Sequence, residues 1–350
     1  MRKSVFLLVL LLFPSLVLPA FSLPLVKAAE DSWTTMAQMP TARKGLGVAV
    51  IDGKIYAIGG GTWSNYFGTN EMYDLATNTW TAKTPMPTPR SHFGIAVIDN
   101  KIYCIGGGTG VNEVYDPETD MWENKTSMPT PRYALEANVV NGKIYMIGGY
   151  TGDPFPYLDA NEVYDPATDS WTTKMPIPTG VGYYASAVVD NKIYIIGGYG
   201  YNLTQIYDPE TDTWSNGASL PTVVDSAAAG VTAGDTATER IFVLAGKQGL
   251  DAVNLNQVYD PETDTWTYGT PMPTARYSHG VAVVNDSLYV IGGVLGWIPE
   301  PVVAINERYT PADFVPEFPS WTPLPIMLLS VTMLVVIYKI RIQNQGRRKQ

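Results

Sequence analysis

Four arginines stand at one recurring place in the sequence, each at the end of a Pro-Thr-x-Arg segment. They are Arg43, Arg90, Arg132 and Arg276. A guanidinium group forks onto carboxylates and phosphates, so an inward-facing set of four would attract an anionic group of a ligand. The same side chains could instead pair with acids of the chain itself, such as Glu71, Glu113 or Glu162. The sequence leaves both interpretations open.

Aromatic residues are a second group of candidates for ligand contact, because many stand in segments of irregular length and composition. The strongest candidates are Trp63, Tyr157, Tyr201 and Trp297. Flat rings stack on the apolar faces of sugars or enclose peptide side chains. The alternative is that these rings pack beneath their own loops.

A catalytic role is conceivable at Glu136, where the aligned positions in the rest of the chain carry only Gly or Ala. With Arg132 and His92 nearby, Glu136 could act as a general base, or it could be a buried acid paired with arginine. We expect no metal site and no cofactor, because His92 and His279 are the only histidines and Cys104 is the only cysteine. Enzymatic activity is therefore uncertain, and a binding role is favoured.

The elements that position these residues come from an internal repeat. A glycine doublet closes each of six apolar runs such as Lys54–Ile58, with Ala245 replacing the first glycine in the fifth copy. Successive doublets are 47, 42, 49, 48 and 47 residues apart. A Tyr-Asp pair follows each doublet except the last, where Tyr309 precedes a threonine. One tryptophan belongs to each copy: Trp33, Trp80, Trp122, Trp171, Trp214 and Trp266.

Each copy has room for four short strands. Pairs such as Asp52-Gly53 suit a tight hairpin between the first and second strands, because they tolerate positive φ. Turns such as Asp116-Pro117 join the third strand to the fourth. The connections between the second and third strands are longer and all different. We predict that they form a variable rim together with the Pro-Thr-x-Arg segments.

The glycine doublet, Tyr-Asp pair and tryptophan, in units of about 50 residues, resemble the kelch repeat. The resemblance covers roughly residues 31–311 and implies an all-β fold, a six-bladed β-propeller. The chain begins with a lone strand around Trp33 and ends after Tyr309 without a tryptophan strand. The N-terminal strand should therefore complete the last blade and close the ring.

The N-terminal residues 1–29 have the layout of a secretory signal peptide. Arg2 and Lys3 precede the apolar run Val5–Leu18, and the small residues Ala28 and Ala29 follow. An uncleaved membrane anchor is the alternative interpretation.

The C-terminal residues 321–338 carry no charge and are long enough to cross a bilayer as a helix. A Pro-rich linker, residues 313–320, precedes them. A basic tail, residues 339–350, follows them and is expected in the cytoplasm by the positive-inside bias. The segment Val315–Pro319 resembles the Pro-Glu-Phe sorting signals of prokaryotic surface proteins, which implies that a lipid anchor could replace the helix. The sequence thus predicts a propeller over residues 30–312 outside the cell, held at the cell membrane by a single span.

The net formal charge of −10 hides an uneven distribution along the chain. Three of the 23 basic residues precede residue 30 and five follow residue 338, whereas all 33 acids lie between these ends. The part between therefore carries 15 bases against 33 acids, a net charge of −18. Such a surface repels nucleic acid, so we expect no nucleic-acid partner.

From these observations we expect a cell-surface binding module that recognises a protein or a glycan through the variable rim. One alternative is a carbohydrate-active enzyme outside the cytoplasm, such as a sialic-acid-type isomerase or an oxidase, because some exported kelch propellers have such activities. Another is a structural element of the envelope or of adhesion. The enzyme interpretation requires Glu136, Arg132 and His92 to converge on one solvent-filled funnel.

Overall fold

The computed structural model describes residues 31–152, 157–234, 237–296 and 301–311. Within these ranges the chain forms strands and no helix. Six four-stranded antiparallel sheets follow one another, and their first strands are neighbours in a closed circle around a central channel. The all-β, six-bladed propeller is therefore confirmed.

Four predicted segments lie outside the described residues: the signal peptide at 1–29, the linker at 313–320, the membrane helix at 321–338 and the tail at 339–350. In the part of the chain that is described, no helix is long and apolar enough to span a membrane.

The first three blades have nearly identical strand lengths. Blade 1 consists of β2 (Gly47–Ile51), β3 (Lys54–Ile58), β4 (Asn70–Asp74) and β5 (Thr79–Lys83). Blade 2 consists of β6 (Gly94–Ile98), β7 (Lys101–Ile105), β8 (Asn112–Asp116) and β9 (Met121–Lys125). Blade 3 consists of β10 (Ala137–Val140), β11 (Lys143–Ile147), β12 (Asn161–Asp165) and β13 (Ser170–Thr173).

Blade 4 has the same four-strand arrangement, whereas blade 5 has an additional hairpin and blade 6 takes its fourth strand from the N-terminus. Blade 4 consists of β14 (Ala185–Val189), β15 (Lys192–Ile196), β16 (Thr204–Asp208) and β17 (Thr213–Gly217). Blade 5 consists of β18 (Ala228–Val231), β19 (Ile241–Leu244), β22 (Asn256–Asp260) and β23 (Thr265–Tyr268), with a small hairpin of β20 (Lys247–Gln248) and β21 (Asp251–Ala252) in its rim loop. Blade 6 consists of β24 (Gly280–Val284), β25 (Ser287–Ile291), β26 (Asn306–Thr310) and the N-terminal strand β1 (Ser32–Thr35).

The N-terminal strand closes the ring. β1 pairs antiparallel with β26, and Trp33 lies opposite Tyr309. The indole Nε1 of Trp33 donates a hydrogen bond to the carbonyl of Thr270, at 2.9 Å, which belongs to the preceding blade. Because the N-terminal strand pairs with the last strand of the chain, blade 6 has its full four strands, and the two ends of the propeller are joined in one sheet.

The same contacts join each blade to the one before it, as blades 1 and 2 illustrate. The Tyr115 hydroxyl donates to Asp120 Oδ1 at 2.5 Å, and this carboxylate also accepts the backbone N–H of Thr84 at 2.9 Å. The Trp122 indole donates to the carbonyl of the same Thr84 at 2.9 Å. The tyrosine and tryptophan of the repeat, together with the aspartate that ends the turn between the third and fourth strands, therefore attach one blade to the one before it. Within the blade the rings of Tyr115 and Trp122 pack against each other, with centroids 5.1 Å apart.

Ala245, the replacement for a doublet glycine in blade 5, has a φ of 54° and is fully buried. The equivalent Gly59 and Gly197 have φ values of 63° and 67°. Alanine thus takes the left-handed conformation that the doublet requires, at a cost of about 1 kcal/mol relative to glycine.

A ring of six residues, here called the neck, encircles the channel just before the first strands. The neck residues are Gly45, His92, Ala134, Tyr183, Ser226 and Ser278. All have φ between 51° and 60°, and each backbone N–H donates to the carbonyl of the neck residue in the preceding blade, at 2.8 to 3.0 Å. The six hydrogen bonds form a closed circle, because Gly45 donates to Ser278.

Candidate functional site

The loops between second and third strands lie on the same face as the Pro-Thr-x-Arg segments. The N–H of Gly60, which opens the blade 1 loop, donates to the Arg90 carbonyl at 2.9 Å. Gly107 makes the same contact with Arg132, at 3.0 Å. The loops of blades 3, 5 and 6 make the same contact, so these five loops of the variable rim are anchored on the segment that enters the next blade.

The four predicted arginines are buried beneath this rim, with at most 1% of each residue's surface exposed. In blade 1, Arg43 Nη1 lies 2.5 Å from Glu71 Oε2, and its Nη2 donates to the Ala57 carbonyl at 2.8 Å. Thr41 donates to the other oxygen of Glu71 at 2.7 Å. The same arrangement recurs as Arg90 with Glu113, Arg132 with Glu162 and Arg276 with Glu307. We call each of these a charged link.

Blades 4 and 5 replace both members of the pair. Val181 and Val224 occupy the arginine position, and Gln205 and Gln257 occupy the glutamate position. The Gln205 amide accepts from the Thr179 N–H at 2.9 Å and donates to the Thr179 carbonyl at 3.1 Å. Gln257 does the same with Thr222, at 2.8 and 3.1 Å. We call these neutral links.

The guanidinium groups of the charged links are buried beneath the rim surface. Burial lowers the pKa of Arg43 and Arg276, and the adjacent Glu71 and Glu307 carboxylates oppose that effect. Each arginine already contacts a carboxylate and backbone carbonyls, so binding a ligand would break a buried pair. Of the two interpretations open from sequence, the structure places these arginines in intramolecular pairs, and ligand binding by them stays a prediction.

The rim bears a concave surface over blades 1 and 2, with a volume of about 520 Å³. Its aromatic lining consists of Trp63, Tyr66, Tyr133 and Tyr183. Trp63 and Tyr66 have 60% and 63% of their surface exposed. The ammonium group of Lys44 lies 3.3 Å from the centre of the Trp63 ring, which positions the indole by a cation–π contact. These two rings are exposed on the loop and do not pack beneath it.

Tyr157 belongs to a second aromatic group, on the rim of blades 3 and 4. Its ring lies 5.5 Å from that of Tyr150 and 5.9 Å from that of Tyr199. Tyr133 joins this group to the concave surface, with its ring 5.2 Å from Tyr150 and 6.4 Å from Tyr183. Tyr157 is half-buried, so it supports neighbouring rings as well as presenting its own edge.

Two predicted rim aromatics remain to be placed. Tyr201 is 38% exposed in the blade 4 loop, and Trp297 lies outside the described residues.

The predicted catalytic residues are only partly brought together. Glu136 and His92 line one cavity of about 100 Å³ in the central channel, which also includes all six neck residues. Arg132 does not line that cavity, because it is held by Glu162. Desolvation raises the pKa of Glu136 to about 8 and lowers that of His92 to about 4. At neutral pH both side chains are therefore largely uncharged.

The other reactive side chains are buried. His279 has its pKa lowered to about 3, first by burial and then by Arg276. Cys104 is fully buried and burial raises its pKa to about 12, which keeps the thiol protonated. Among the described residues, no group of three His, Cys, Asp or Glu side chains is arranged to hold a metal ion.

Sequence reasoning missed two features of the rim. One is the exchange of Glu for Gln wherever Arg becomes Val, which could have been found by comparing the repeats at two positions instead of one. The other is Lys44, whose contact with Trp63 joins residues 19 positions apart and does not follow from the repeat pattern.

Two family models match the chain. One, described as the KLHDC2/KLHL20/DRC7 Kelch-repeats domain, matches residues 111–293, and one described as the Kelch motif matches residues 42–87 and 89–129. Kelch-like protein 13 of Mus musculus is 32% identical over 92 residues, which are 26% of this chain and 14% of that protein. Kelch-like protein 28 of Homo sapiens is 35% identical over 103 residues, 29% of this chain and 18% of that protein.

These matches therefore span less than a fifth of the two relatives' length. A solved structure described as "Structure of YjhT" aligns with a TM-score of 0.67 at 18% identity, covering 77% of this chain and 95% of that one. At this identity the likeness shows the fold alone.

Proposed function

The chain belongs to the Kelch-repeat family, and on that premise we propose that it is a binding module that holds a partner protein on its variable rim. Propellers of this family are typically protein-interaction modules. In this proposal the propeller works outside the cell, tethered to the membrane through residues 321–338.

The observation that carries the proposal is the exposure of Trp63 and Tyr66 beside a concave surface. Large aromatic side chains left in water at the edge of a cavity are the usual anchors of protein interfaces. The Lys44 contact holds the indole in place before a partner arrives, which reduces the entropy lost on binding.

The test is a binding screen of the purified protein against candidate surface proteins and glycans, followed by Trp63→Ala and Tyr66→Ala on any ligand found. We expect each substitution to weaken partner binding at least roughly tenfold. The melting temperature should hardly change, because exposed rings contribute little to folding. A matched control is Tyr268→Ala, an aromatic ring that is 57% exposed on the outer strand of blade 5.

Three results would contradict the proposal. A large fall in melting temperature for Trp63→Ala would make the indole a packing residue. Unchanged binding by both rim variants would place the partner elsewhere. Selective binding of a glycan would replace the protein partner by a carbohydrate at the same rim.

We do not propose catalysis. The enzyme interpretation required Glu136, Arg132 and His92 in one funnel, and Arg132 is held elsewhere by Glu162.

A further inference from the structure

Glu136 is an exception at a position that elsewhere carries almost no side chain. The aligned residues are Gly47, Gly94, Ala185, Ala228 and Gly280, and each begins the first strand of its blade. A Cβ atom at Gly280 would come within 2.1 Å of Val48, and one at Gly94 within 3.0 Å of Ala137. The first strand of blade 3 instead begins at Ala137, one residue after Glu136. The sheet is thus shortened where the carboxylic acid stands.

The next blade offers a polar residue at the matching place. The glycines at this position each face a residue of a neighbouring first strand: Gly47 faces Ile95, Gly94 faces Ala137 and Gly280 faces Val48. The residue that is faced always stands three positions after a neck residue. By the same rule, Glu136 faces Ser186, which stands three positions after Tyr183. In the six blades this position carries Val, Ile or Ala except at Ser186. The six residues are Val48, Ile95, Ala137, Ser186, Ala229 and Val281. Both Glu136 and Ser186 line the channel cavity.

The Glu136 carboxyl group has no hydrogen bond or ion pair with any described residue. Arg132 is engaged by Glu162, and His92 is neutral because burial lowers its pKa. Tyr184 accepts the backbone N–H of Glu136 at 3.2 Å, but its hydroxyl donates to the Ile147 carbonyl at 2.5 Å. Arg132, His92 and Tyr184 thus supply no counter-ion to this carboxyl group.

Aromatic rings and hydroxyl groups surround the entrance to this cavity. His92 and Tyr183 lie edge to face with centroids 5.8 Å apart, and Tyr133 lies 6.4 Å from Tyr183. Ser278 and Ser226 complete the polar part of the neck. Aromatic faces above a carboxylate attract an ammonium group, the same chemistry that Lys44 and Trp63 display on the rim.

We propose that the central channel binds a primary ammonium group, with Glu136 as its counter-ion, Ser186 as a hydrogen-bond acceptor and Tyr183 at the entrance. A cavity of about 100 Å³ has room for such a group and a short part of its alkyl chain. The source of the ammonium group rests on the proposed function: it would be a lysine side chain or the N-terminus of the protein held on the rim. A small free amine carries the same chemistry.

Binding would be linked to proton release. The carboxyl group is largely protonated at neutral pH, since its pKa is near 8, and it must ionise to pair with an ammonium group. A ligand that binds Glu136 in this way therefore displaces close to one proton into the buffer.

The experiment is calorimetric titration of the purified full chain at neutral pH with n-butylamine and with an Nα-acetyl-lysine methylamide. Uncharged n-butanol is the matched control ligand. We expect saturable binding of the amines with proton release, seen as different heats in phosphate and in MOPS, and no binding of n-butanol. Glu136→Gln should weaken amine binding at least roughly tenfold and abolish the proton release, with Ser186→Ala intermediate.

Each outcome decides the proposal. Binding of both amines supports a lysine source, and binding of n-butylamine alone supports a small free amine at the same carboxylate. No saturable binding, equal binding by Glu136→Gln with its fold intact, or wild-type binding without proton release would overturn it. Trp63→Ala should leave amine binding unchanged, so failure of the rim proposal and failure of the channel proposal are distinguishable.

Discussion

Blades 1, 2, 3 and 6 and blades 4 and 5 meet one structural requirement in two ways. The backbone of the Pro-Thr segment must be fastened to the third strand of its own blade. Charged links do this with a buried Arg–Glu pair and a threonine hydroxyl, whereas neutral links do it with the two amide contacts of a glutamine. The two chemistries occur at the same positions within one chain.

The difference teaches that the charge itself is dispensable but the match between partners is not. An Arg–Glu pair gains little net stability over a neutral packing, because both groups lose their hydration on burial. The charged links also leave an unsatisfied donor, since the Nε of each arginine has no partner among the described residues. A mixed pair, Arg with Gln or Val with Glu, occurs in none of the six blades.

The largest expected effect comes from breaking one charged link on a single side. Glu162→Gln leaves the buried Arg132 without its counter-ion, and we expect a loss of about 3–5 kcal/mol in the free energy of unfolding. Urea denaturation measures this. The matched control is Glu123→Gln, which removes an exposed ion pair with Lys125 and should cost about 0–1 kcal/mol. Equal losses for the two variants would disprove the distinction.

The converse change introduces a charge into a neutral link. Val181 is fully buried, so Val181→Arg places a guanidinium beside Gln205, which cannot neutralise it. We expect a loss of roughly 2–4 kcal/mol, and recovery of at least half when Gln205→Glu is added. The midpoint of urea unfolding checks both variants. A double variant no better than Val181→Arg would show that backbone shape, not pairing, distinguishes the blades.

Blade 3 also contains a paired and an unpaired glutamate, which should respond oppositely to neutralisation. The folded-state pKa of Glu136 is about 8 against an ordinary 4.5, so between these pH values the folded protein holds a proton that the unfolded chain has lost. Wild-type stability therefore falls as the pH rises through this window. Relative to wild type, Glu136→Gln should gain roughly 2–4 kcal/mol between pH 4.5 and pH 8.

Urea unfolding of both proteins across this pH range gives the difference. The histidines, with their lowered pKa values, change stability in the opposite direction but equally in both proteins, so they cancel. A difference that does not vary with pH would mean that Glu136 is ionised and solvated throughout.

The smallest effect should come from converting a whole charged link into a neutral one. Arg132→Val combined with Glu162→Gln recreates the pair of blade 4, and we expect the double variant to lie within about 1.5 kcal/mol of wild type. Wild type, Glu162→Gln, Arg132→Val and the double variant together form a double-mutant cycle, which measures the coupling between the two side chains. A double variant as unstable as Glu162→Gln would show that blade 3 cannot accept the neutral solution.

The fold was predictable because the sequence pattern of each strand and turn occurs in several of the six repeats. The closure by β1 was predictable because the last repeat lacks a tryptophan strand. The arginine pattern was equally visible, but repetition does not tell a ligand-binding set from a packing set. The Glu-to-Gln exchange opposite Val181 and Val224 carries that information. Features present once, such as Lys44 on Trp63, depend on the path of a single loop and could not be predicted from spacing.

The neck has a consequence for how the channel can admit anything. Its six hydrogen bonds make a macrocycle of backbone, and a macrocycle has no end from which to unzip. Widening the neck would stretch all six backbone hydrogen bonds together, so the diameter of the backbone ring is fixed by these hydrogen bonds. The aperture is instead set by the neck side chains, chiefly His92 and Tyr183. A substitution at one of these side chains would therefore change the aperture while the backbone ring stays the same.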